Sequence, residues 1–205
     1  MTRSSASASR RVPDRQLCAL ATRWLGLLVL ACLLAACATK PAPTEAPPID
    51  LPRFMGRWHV ISHVPYFGER GHVASVDEFT LRNDRDIGVR YFYRTGFSQP
   101  LEMRVARATV AAGTGNREWT AWLLRVAPAK YRILEVAPDY TWALVAHPDS
   151  DLAWILAREP VMDDTLYADL ERRMRSHGVN TDKMRRVPQV PEQVGKLGFA
   201  DPEHP

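Results

Sequence analysis

The chain has 205 residues, a length that suits one domain with terminal extensions, and 46% of them are hydrophobic, which is enough for a sizeable core. Its net charge of +4 comes wholly from residues 1–36, since the rest of the chain carries 22 basic and 22 acidic residues. The basic pI therefore gives no argument for nucleic-acid binding, and we expect no nucleic-acid partner.

The N-terminal segment predicts export. A region with five arginines precedes an apolar run of 13 residues, Trp24 to Ala36, which is long enough for a signal-peptide core and too short to span a bilayer. Cys37 follows directly, and this order resembles the signal of bacterial lipoproteins. The resemblance implies that residues 1–36 are removed as a signal peptide and that Cys37 carries acyl chains such as palmitate. With Ala38 next, it implies an anchor in the outer membrane of a Gram-negative bacterium, facing the periplasm.

The cysteines and prolines divide what remains. Cys18 and Cys32 lie in the signal peptide, so the folded domain has no cysteine and no disulfide or cysteine-based metal site. Five prolines between residues 38 and 52 predict an extended tether. The predicted organisation is a signal peptide at 1–36, a lipidated cysteine and tether at 37–52, a folded domain at 53–192 and a tail at 193–205.

Period-two alternation predicts eight short strands joined by short turns. The segments are 54–62, 75–81, 87–93, 101–110, 118–126, 130–137, 142–146 and 152–157. No helix intervenes, which favours an antiparallel meander, and eight such strands can close on themselves and so remove their edges. We therefore predict an all-β protein, an eight-stranded antiparallel up-and-down barrel.

After the eighth strand the period becomes helical. Asp163 or Asp164 can cap a helix, and apolar residues recur every four positions at Leu166, Leu170 and Met174. We predict one C-terminal α-helix packed on the outside of the barrel. Residues 187–191 read as extended, and their prolines exclude a central strand.

Three separated blocks carry a family resemblance: Gly56-Arg57-Trp58, Pro138-Asp139-Tyr140 with Trp142-Ala143-Leu144-Val145, and Trp154-Ile155-Leu156-Ala157-Arg158. Together with Phe67 and Glu69-Arg70-Gly71 they resemble the lipocalins, especially the bacterial lipoprotein lipocalins allied to apolipoprotein D and the plant temperature-induced lipocalins. The resemblance covers about residues 53–192. It implies that the blocks meet at the closed end of a lipocalin barrel, with Arg158 over the ring of Trp58. It gives structural, barrel-closing roles to Gly56, Trp58, Asp139, Tyr140 and Arg158.

The resemblance also implies which side chains face the barrel interior and bind a ligand. They are Val60, Ser62, Phe79, Val89, Tyr91, Ala106, Ala108, Trp119, Ala121, Tyr131, Ile133, Val145, Leu152 and Trp154, with Tyr66 and Phe67 at the mouth. This apolar and aromatic set suits an acyl chain or a similar molecule. The alternative is that these side chains simply fill the barrel.

Three charged residues, Asp77, Arg104 and Glu135, also face inward in this register. Buried charges are costly unless they are paired. They pair with one another and with tyrosines, or the mouth is wet and the register shifts by one residue, or they hold a ligand head group. The first strand also departs from its relatives, because Trp58-His59-Val60-Ile61 stands where the subfamily commonly has Trp-Tyr-Glu-Ile, which makes the floor more apolar.

The sequence offers little for catalysis. The six histidines lack metal-ligand spacing, and neither a Gly-x-Ser-x-Gly motif nor a phosphate loop occurs. We expect no enzyme activity, no catalytic residue, no cofactor and no metal. The predicted function is binding or transport of fatty acids or lysophospholipids by a membrane-anchored lipocalin at the cell envelope. The alternatives are an envelope lipoprotein with a filled barrel and, less favoured, a lipocalin-fold enzyme; a homodimer is left open.

Overall fold

The computed structural model describes residues 46–123 and 127–204. Its strands are β1 Gly56–His63, β2 Val73–Leu81, β3 Asp86–Arg94, β4 Glu102–Val110, β5 Glu118–Leu123, β6 Ala127–Val136, β7 Trp142–Ala146, β8 Ala153–Ala157 and β9 Arg185–Arg186. Its α-helices are α1 Leu51–Phe54 and α2 Asp164–Ser176, and short 3-10 turns occupy Phe67–Glu69, Thr181–Lys183 and Pro191–Gln193. The predicted signal peptide, Cys37 and most of the tether lie outside the described residues.

Strands β1 to β8 form a closed antiparallel barrel. Each strand pairs with its neighbour in sequence, and β1 pairs with both β8 and β2, for example His59 with Ala157 and Gly56 with Phe79. The predicted eight-stranded up-and-down barrel is therefore confirmed. The added strand β9 pairs with the end of β1 and leads into the segment that begins at Val187.

A β-bulge in β1 turns the side chain of Ser62 to the outside of the barrel. The pairing of β1 with β8 shifts between Val60 and Ser62, so that one extra residue enters the strand. Ser62, expected inside the barrel, instead lies outside, where its hydroxyl donates to the carbonyl of Arg185 at 3.0 Å and contacts the hydroxyl of Tyr167 at 3.1 Å. The inward assignment of Ser62 was wrong because strict alternation moves every later side chain to the opposite face once a residue is inserted.

A second bulge acts in the same way on Glu135 in β6. The pairing of β6 with β7 shifts between Ile133 and Glu135. The carboxylate of Glu135 consequently faces α2, where it lies 3.1 Å from the guanidinium of Arg173 and 2.7 Å from the imidazole of His177. Glu135 therefore belongs to the outer surface, and its predicted inward position was wrong.

Helix α2 covers one outer face of the barrel. The carboxylate of Asp163 accepts hydrogen bonds from the amides of Thr165 and Leu166, which caps the helix as predicted. Leu170 and Met174 are fully buried in a second hydrophobic cluster, outside the barrel, with Ile61, Leu144, Ile155 and their neighbours. Leu166 is exposed. Within the described residues, no helix has both the length and the apolar character needed to cross a membrane.

Both ends of the described chain return to the barrel. Ile49 and Leu51, in the segment predicted as tether, are buried in the core, and the amide of Ile49 donates to the carbonyl of Gly115 at 2.8 Å. In the predicted tail, the amides of Glu203 and His204 donate to carbonyls near the ends of β2 and β3. Parts of the predicted tether and tail therefore pack on the barrel.

The closed end is organised by Arg158. Its guanidinium carbon lies 3.7 Å from the centroid of the Trp58 ring, which confirms the predicted contact. The guanidinium also donates to the carbonyls of Arg57 at 2.8 Å, Arg53 at 2.8 Å and Met55 at 3.0 Å. These carbonyls lie where α1 ends and β1 begins, so one side chain ties the N-terminal helix to the end of β8.

Gly56 and Tyr140 have backbone conformations that this arrangement requires. Gly56 has a φ of +95°, and a Cβ at this position would lie 3.4 Å from the Arg158 guanidinium. Tyr140 has a φ of +63°, which is uncommon for a bulky residue. Its hydroxyl accepts a hydrogen bond from the amide of Asp50 at 2.8 Å, and this contact helps to hold the strained corner in place.

We predict that Arg158→Ala lowers the free energy of unfolding by about 2–4 kcal/mol, because it removes the contact with Trp58 and leaves several carbonyls without a donor. Arg158→Lys should recover only part of this, since an ammonium cannot reach all of these carbonyls. The control Arg172→Ala removes an exposed arginine of α2 and should change stability by less than about 0.5 kcal/mol. Urea unfolding measures all three, and an Arg158→Ala variant as stable as the control would contradict the assignment.

Candidate functional site

The barrel encloses a cavity of about 300 Å³ towards the loops that join β1 to β2 and β7 to β8. It is lined by Tyr66, Glu69, Asp77, Phe79, Val89, Tyr91, Arg104, Ala106, Ala108, Trp119, Ala121, Ala129, Lys130, Tyr131, His147, Leu152 and Trp154. This volume is at the lower end of the usual range for small-molecule sites. The barrel is therefore not completely filled by its own side chains.

Aromatic rings close the bottom of the cavity. Phe54 of α1 is fully buried, and its ring centroid lies 4.9 Å from that of Trp58 and 5.4 Å from that of Trp119. The rings of Phe79 and Trp119 meet edge to face at 5.5 Å. The sequence does not reveal the contribution of Phe54, because the four residues of α1 are too few to give a helical pattern.

Most of the residues predicted to bind a ligand line this cavity. They are Tyr66, Phe79, Val89, Tyr91, Ala106, Ala108, Trp119, Ala121, Tyr131, Leu152 and Trp154. The alanines occupy β4 and β5, where their small side chains leave room for the cavity. The part that these residues play in binding stays a prediction.

Five predicted ligand-binding residues do not line the cavity. Val60, Ile133 and Val145 are fully buried in the core cluster that includes the floor. Phe67 is 90% exposed, because the 3-10 turn that begins at this residue directs its ring into solvent. Ser62 lies outside the barrel because of the bulge in β1.

Four lining residues were not predicted from the sequence, and Glu69 is the most informative of them. Its carboxylate accepts hydrogen bonds from the imidazole of His63 at 3.2 Å and from the indole of Trp154 at 3.3 Å. Glu69 was noted only as part of a loop motif, and no periodicity shows that a loop side chain turns inward. The others are Ala129, Lys130 and His147.

Asp77 has an unusual environment for a carboxyl group. It faces the cavity from β2, and its side chain makes no hydrogen bond or ion pair with the described residues. Burial raises the pKa of Asp77 to about 8, and the negative charge of Glu69 contributes in the same direction. Asp77 is therefore mostly protonated at neutral pH while the cavity holds no ligand.

The tyrosines of the cavity differ in how their hydroxyls are satisfied. The hydroxyl of Tyr91 donates to Ser75 at 3.2 Å and lies 2.9 Å from the imidazole of His72. Burial lowers the pKa of His72 to about 4, so this histidine is neutral at physiological pH. The hydroxyl of Tyr131 is buried and has no hydrogen-bond partner within residues 46–123 and 127–204. Burial raises the pKa of both tyrosines.

Arg104 lies at the mouth of the cavity. Its guanidinium donates to the carbonyl of Gly68 at 2.9 Å, and its guanidinium carbon lies 4.7 Å above the ring of Tyr93. Of the three charges expected inside, Asp77 and Arg104 therefore line the cavity without forming an ion pair, and Glu135 lies outside it. Among the described residues, no three His, Cys, Asp or Glu side chains are grouped so that they could hold a metal ion.

Residues 49–189 match the family model for a lipocalin-like domain. The chain belongs to the lipocalin family. It is 26% identical over 170 residues to the outer membrane lipoprotein Blc of Citrobacter freundii, which covers 78% of this lipocalin and 93% of that protein. It is 26% identical over 148 residues to temperature-induced lipocalin-1 of Arabidopsis thaliana, which covers 69% of this chain and 80% of that protein.

Solved structures share the fold of this lipocalin. Insecticyanin from the tobacco hornworm Manduca sexta superposes with a TM-score of 0.56 at 20% identity, covering 74% of this chain and 87% of that chain. Apocrustacyanin C2 superposes with a TM-score of 0.58 at 11% identity, covering 74% and 95% respectively. At these identities the likeness concerns the barrel alone.

We predict that Asp77→Asn stabilises the protein in a pH-dependent way. The pKa of Asp77 rises from 3.8 to about 8 on folding, so the folded state binds more protons between these values and loses stability as pH rises through them. The variant, which cannot ionise, should be more stable than the wild type by about 1–3 kcal/mol near pH 8 and equally stable near pH 4.

Urea unfolding at several pH values tests this prediction. The control is Glu78→Gln, on the outer face of the same strand, where the carboxylate pairs with Arg90. Removing that exposed pair should not stabilise the protein at any pH. A gain for Asp77→Asn that is the same at pH 4 and pH 8 would contradict the prediction.

Proposed function

We propose that this lipocalin binds and carries single-chain lipid-like molecules, such as fatty acids or lysophospholipids, at the cell envelope. The observation that carries the proposal is the cavity of about 300 Å³, whose walls are mainly aromatic rings, alanines and aliphatic side chains. A flexible apolar chain can fill such a space, and each methylene removed from water contributes up to about 0.8 kcal/mol. The polar group of the ligand would remain with the charged and hydroxyl side chains of the upper cavity.

The same cavity argues against a purely structural role. A barrel that serves only as a scaffold gains stability by filling its interior, whereas Ala106, Ala108 and Ala121 leave room here. An enzyme of this fold would need a reactive group placed beside its substrate. The cavity acid Asp77 is the best candidate, but no base or nucleophile hydrogen-bonds to it among the described residues.

We further propose that the protein is anchored by lipid on Cys37 in the outer membrane and faces the periplasm. The support is the order of basic region, apolar run and cysteine in the sequence, together with similarity to a protein described as an outer membrane lipoprotein. An anchor of this kind would hold the binding site close to its lipid ligands. The short chain between Cys37 and the first packed residue, Ile49, would keep the barrel near the membrane surface.

We predict that the affinity for fatty acids rises with chain length and then levels off or falls when the tail reaches the aromatic floor. Each added methylene should contribute at most about 0.8 kcal/mol until that point. Trp119 and Trp154 line the cavity, so their fluorescence should change on binding and report the titration.

The variant Ala106→Leu, which narrows the cavity from β4, tests whether the ligand chain occupies this cavity. In this variant the affinity should stop rising at a shorter chain than in the wild type. An affinity that does not depend on chain length, or tight binding only of a charged, water-soluble ligand, would contradict the proposed function.

The anchor has its own test. We predict that Cys37→Ser moves the protein to a soluble fraction or leaves the signal peptide uncleaved, because serine lacks the thiol that the lipid modifies. Membrane fractionation and mass spectrometry of the N-terminus measure both outcomes. The proposed anchor is wrong if the variant fractionates with the outer membrane as fully as the wild type.

A further inference from the structure

The cavity contains two polar groups that the described protein leaves without partners. Asp77 lines it from β2 and Tyr131 from β6, and neither the carboxyl nor the buried hydroxyl makes a hydrogen bond within residues 46–123 or 127–204. A polar group that is removed from water without a partner is destabilising. Unsatisfied groups inside a ligand cavity therefore point to polar atoms of the ligand.

The other polar groups near them already have partners. The hydroxyl of Tyr91 is held between His72 and Ser75, and the carboxylate of Glu69 is held by His63 and a tryptophan indole. These contacts hold the Tyr91 hydroxyl and one oxygen of Glu69, whereas no such contact holds the Asp77 carboxyl or the Tyr131 hydroxyl among the described residues.

Negative charge lies beside this part of the cavity. Glu69 adds its charge to that of Asp77 when Asp77 ionises, and the causes that raise the pKa of Asp77 are burial and Glu69. Arg104 on β4 also lines the cavity, but it directs its guanidinium to the carbonyl of Gly68 and the ring of Tyr93. A cation would therefore be attracted to the space beside Asp77.

Aromatic rings surround the same space. The ring of Tyr131 stacks on Trp119 with centroids 5.5 Å apart and lies 6.1 Å from Trp154. Cations are attracted to the faces of such rings. We propose that Asp77 and Tyr131 form a subsite for a protonated amine, so that among single-chain amphiphiles the cavity binds those with an ammonium group most tightly. This inference rests on the proposed function, because it uses the same cavity.

An ammonium fits this subsite better than a carboxylate or a hydroxyl. A primary ammonium has three donors, and the carboxyl oxygens of Asp77 and the hydroxyl oxygen of Tyr131 are acceptors for them. A carboxylate would meet the negative charge of Glu69. An alcohol would satisfy one hydrogen bond without gaining from either charge.

Binding of an amine should be linked to the ionisation of Asp77. The titratable and charged groups that face this part of the cavity are Tyr66, Glu69, Tyr91, Arg104, Lys130, Tyr131 and His147. Because the pKa of Asp77 is about 8 in the empty cavity, an incoming ammonium must displace a proton at neutral pH. Amine affinity should therefore rise from about pH 6 towards pH 8 by up to about tenfold per unit, and fall again near pH 10, where the amine itself loses its proton.

The experiment compares octylammonium, 1-octanol and octanoate, which share one apolar chain. Isothermal titration calorimetry near pH 8, in buffers with different ionisation enthalpies, gives the affinity and the number of protons released. The variants are Asp77→Asn and Tyr131→Phe. Their controls are Glu78→Gln, on the outer face of β2, and Tyr93→Phe, whose hydroxyl donates to Glu102 away from the cavity.

We expect octylammonium to bind at least about tenfold more tightly than octanoate, and Asp77→Asn to remove this preference and the dependence on pH. Tyr131→Phe should weaken amine binding by about threefold or more, since one hydrogen bond is lost. Both controls should stay within about twofold of the wild type. The affinity for 1-octanol should change little in Asp77→Asn.

Two results would overturn the inference, and they can be told apart. If 1-octanol or octanoate binds as tightly as octylammonium, or Asp77→Asn leaves amine affinity unchanged, the cavity binds amphiphiles but the ammonium subsite is wrong. If none of the three ligands binds, and longer chains fail as well, the proposed function itself fails and the subsite fails with it.

Discussion

The barrel depends on the contacts that Arg158 makes at its closed end. This side chain lies on the ring of Trp58 and donates to backbone carbonyls at the end of α1 and the beginning of β1. These contacts join the two ends of the barrel sequence, because Arg158 directly follows β8. With this end closed by a hydrogen-bonded cation and buried rings, the opposite end can stay open without loss of the fold.

The interior is divided between stability and binding. Below, Phe54, Trp58 and their neighbours fill the space at core density, which is why predicted lining residues such as Val60 and Ile133 are buried beneath the floor. Above, alanines and unsatisfied polar groups take the place of packed side chains. Asp77 lowers stability once it ionises, and a strongly shifted acid in a cavity is typical of a functional site.

Helix α2 shields the apolar outer wall of the barrel from solvent. Helix α2 covers apolar side chains of β1, β7 and β8, and the bulges in β1 and β6 turn Ser62 and Glu135 towards it. The two residues then hydrogen-bond to groups on α2 and β9. The bulges that interrupt the alternation of inward and outward side chains therefore also help to attach the helix.

The sequence alone determined the elements, their order and the family, because strand alternation, the turn residues and the blocks around Trp58 and Arg158 are local signals. It also identified most residues that line the cavity, since the inward face follows from period two. It could not place Ser62 and Glu135, because a bulge depends on how two strands pair and leaves no mark on one strand's own pattern. Only the tertiary structure brought Glu69 into the cavity that Asp77 and Tyr131 line, since the direction of a loop side chain follows no period.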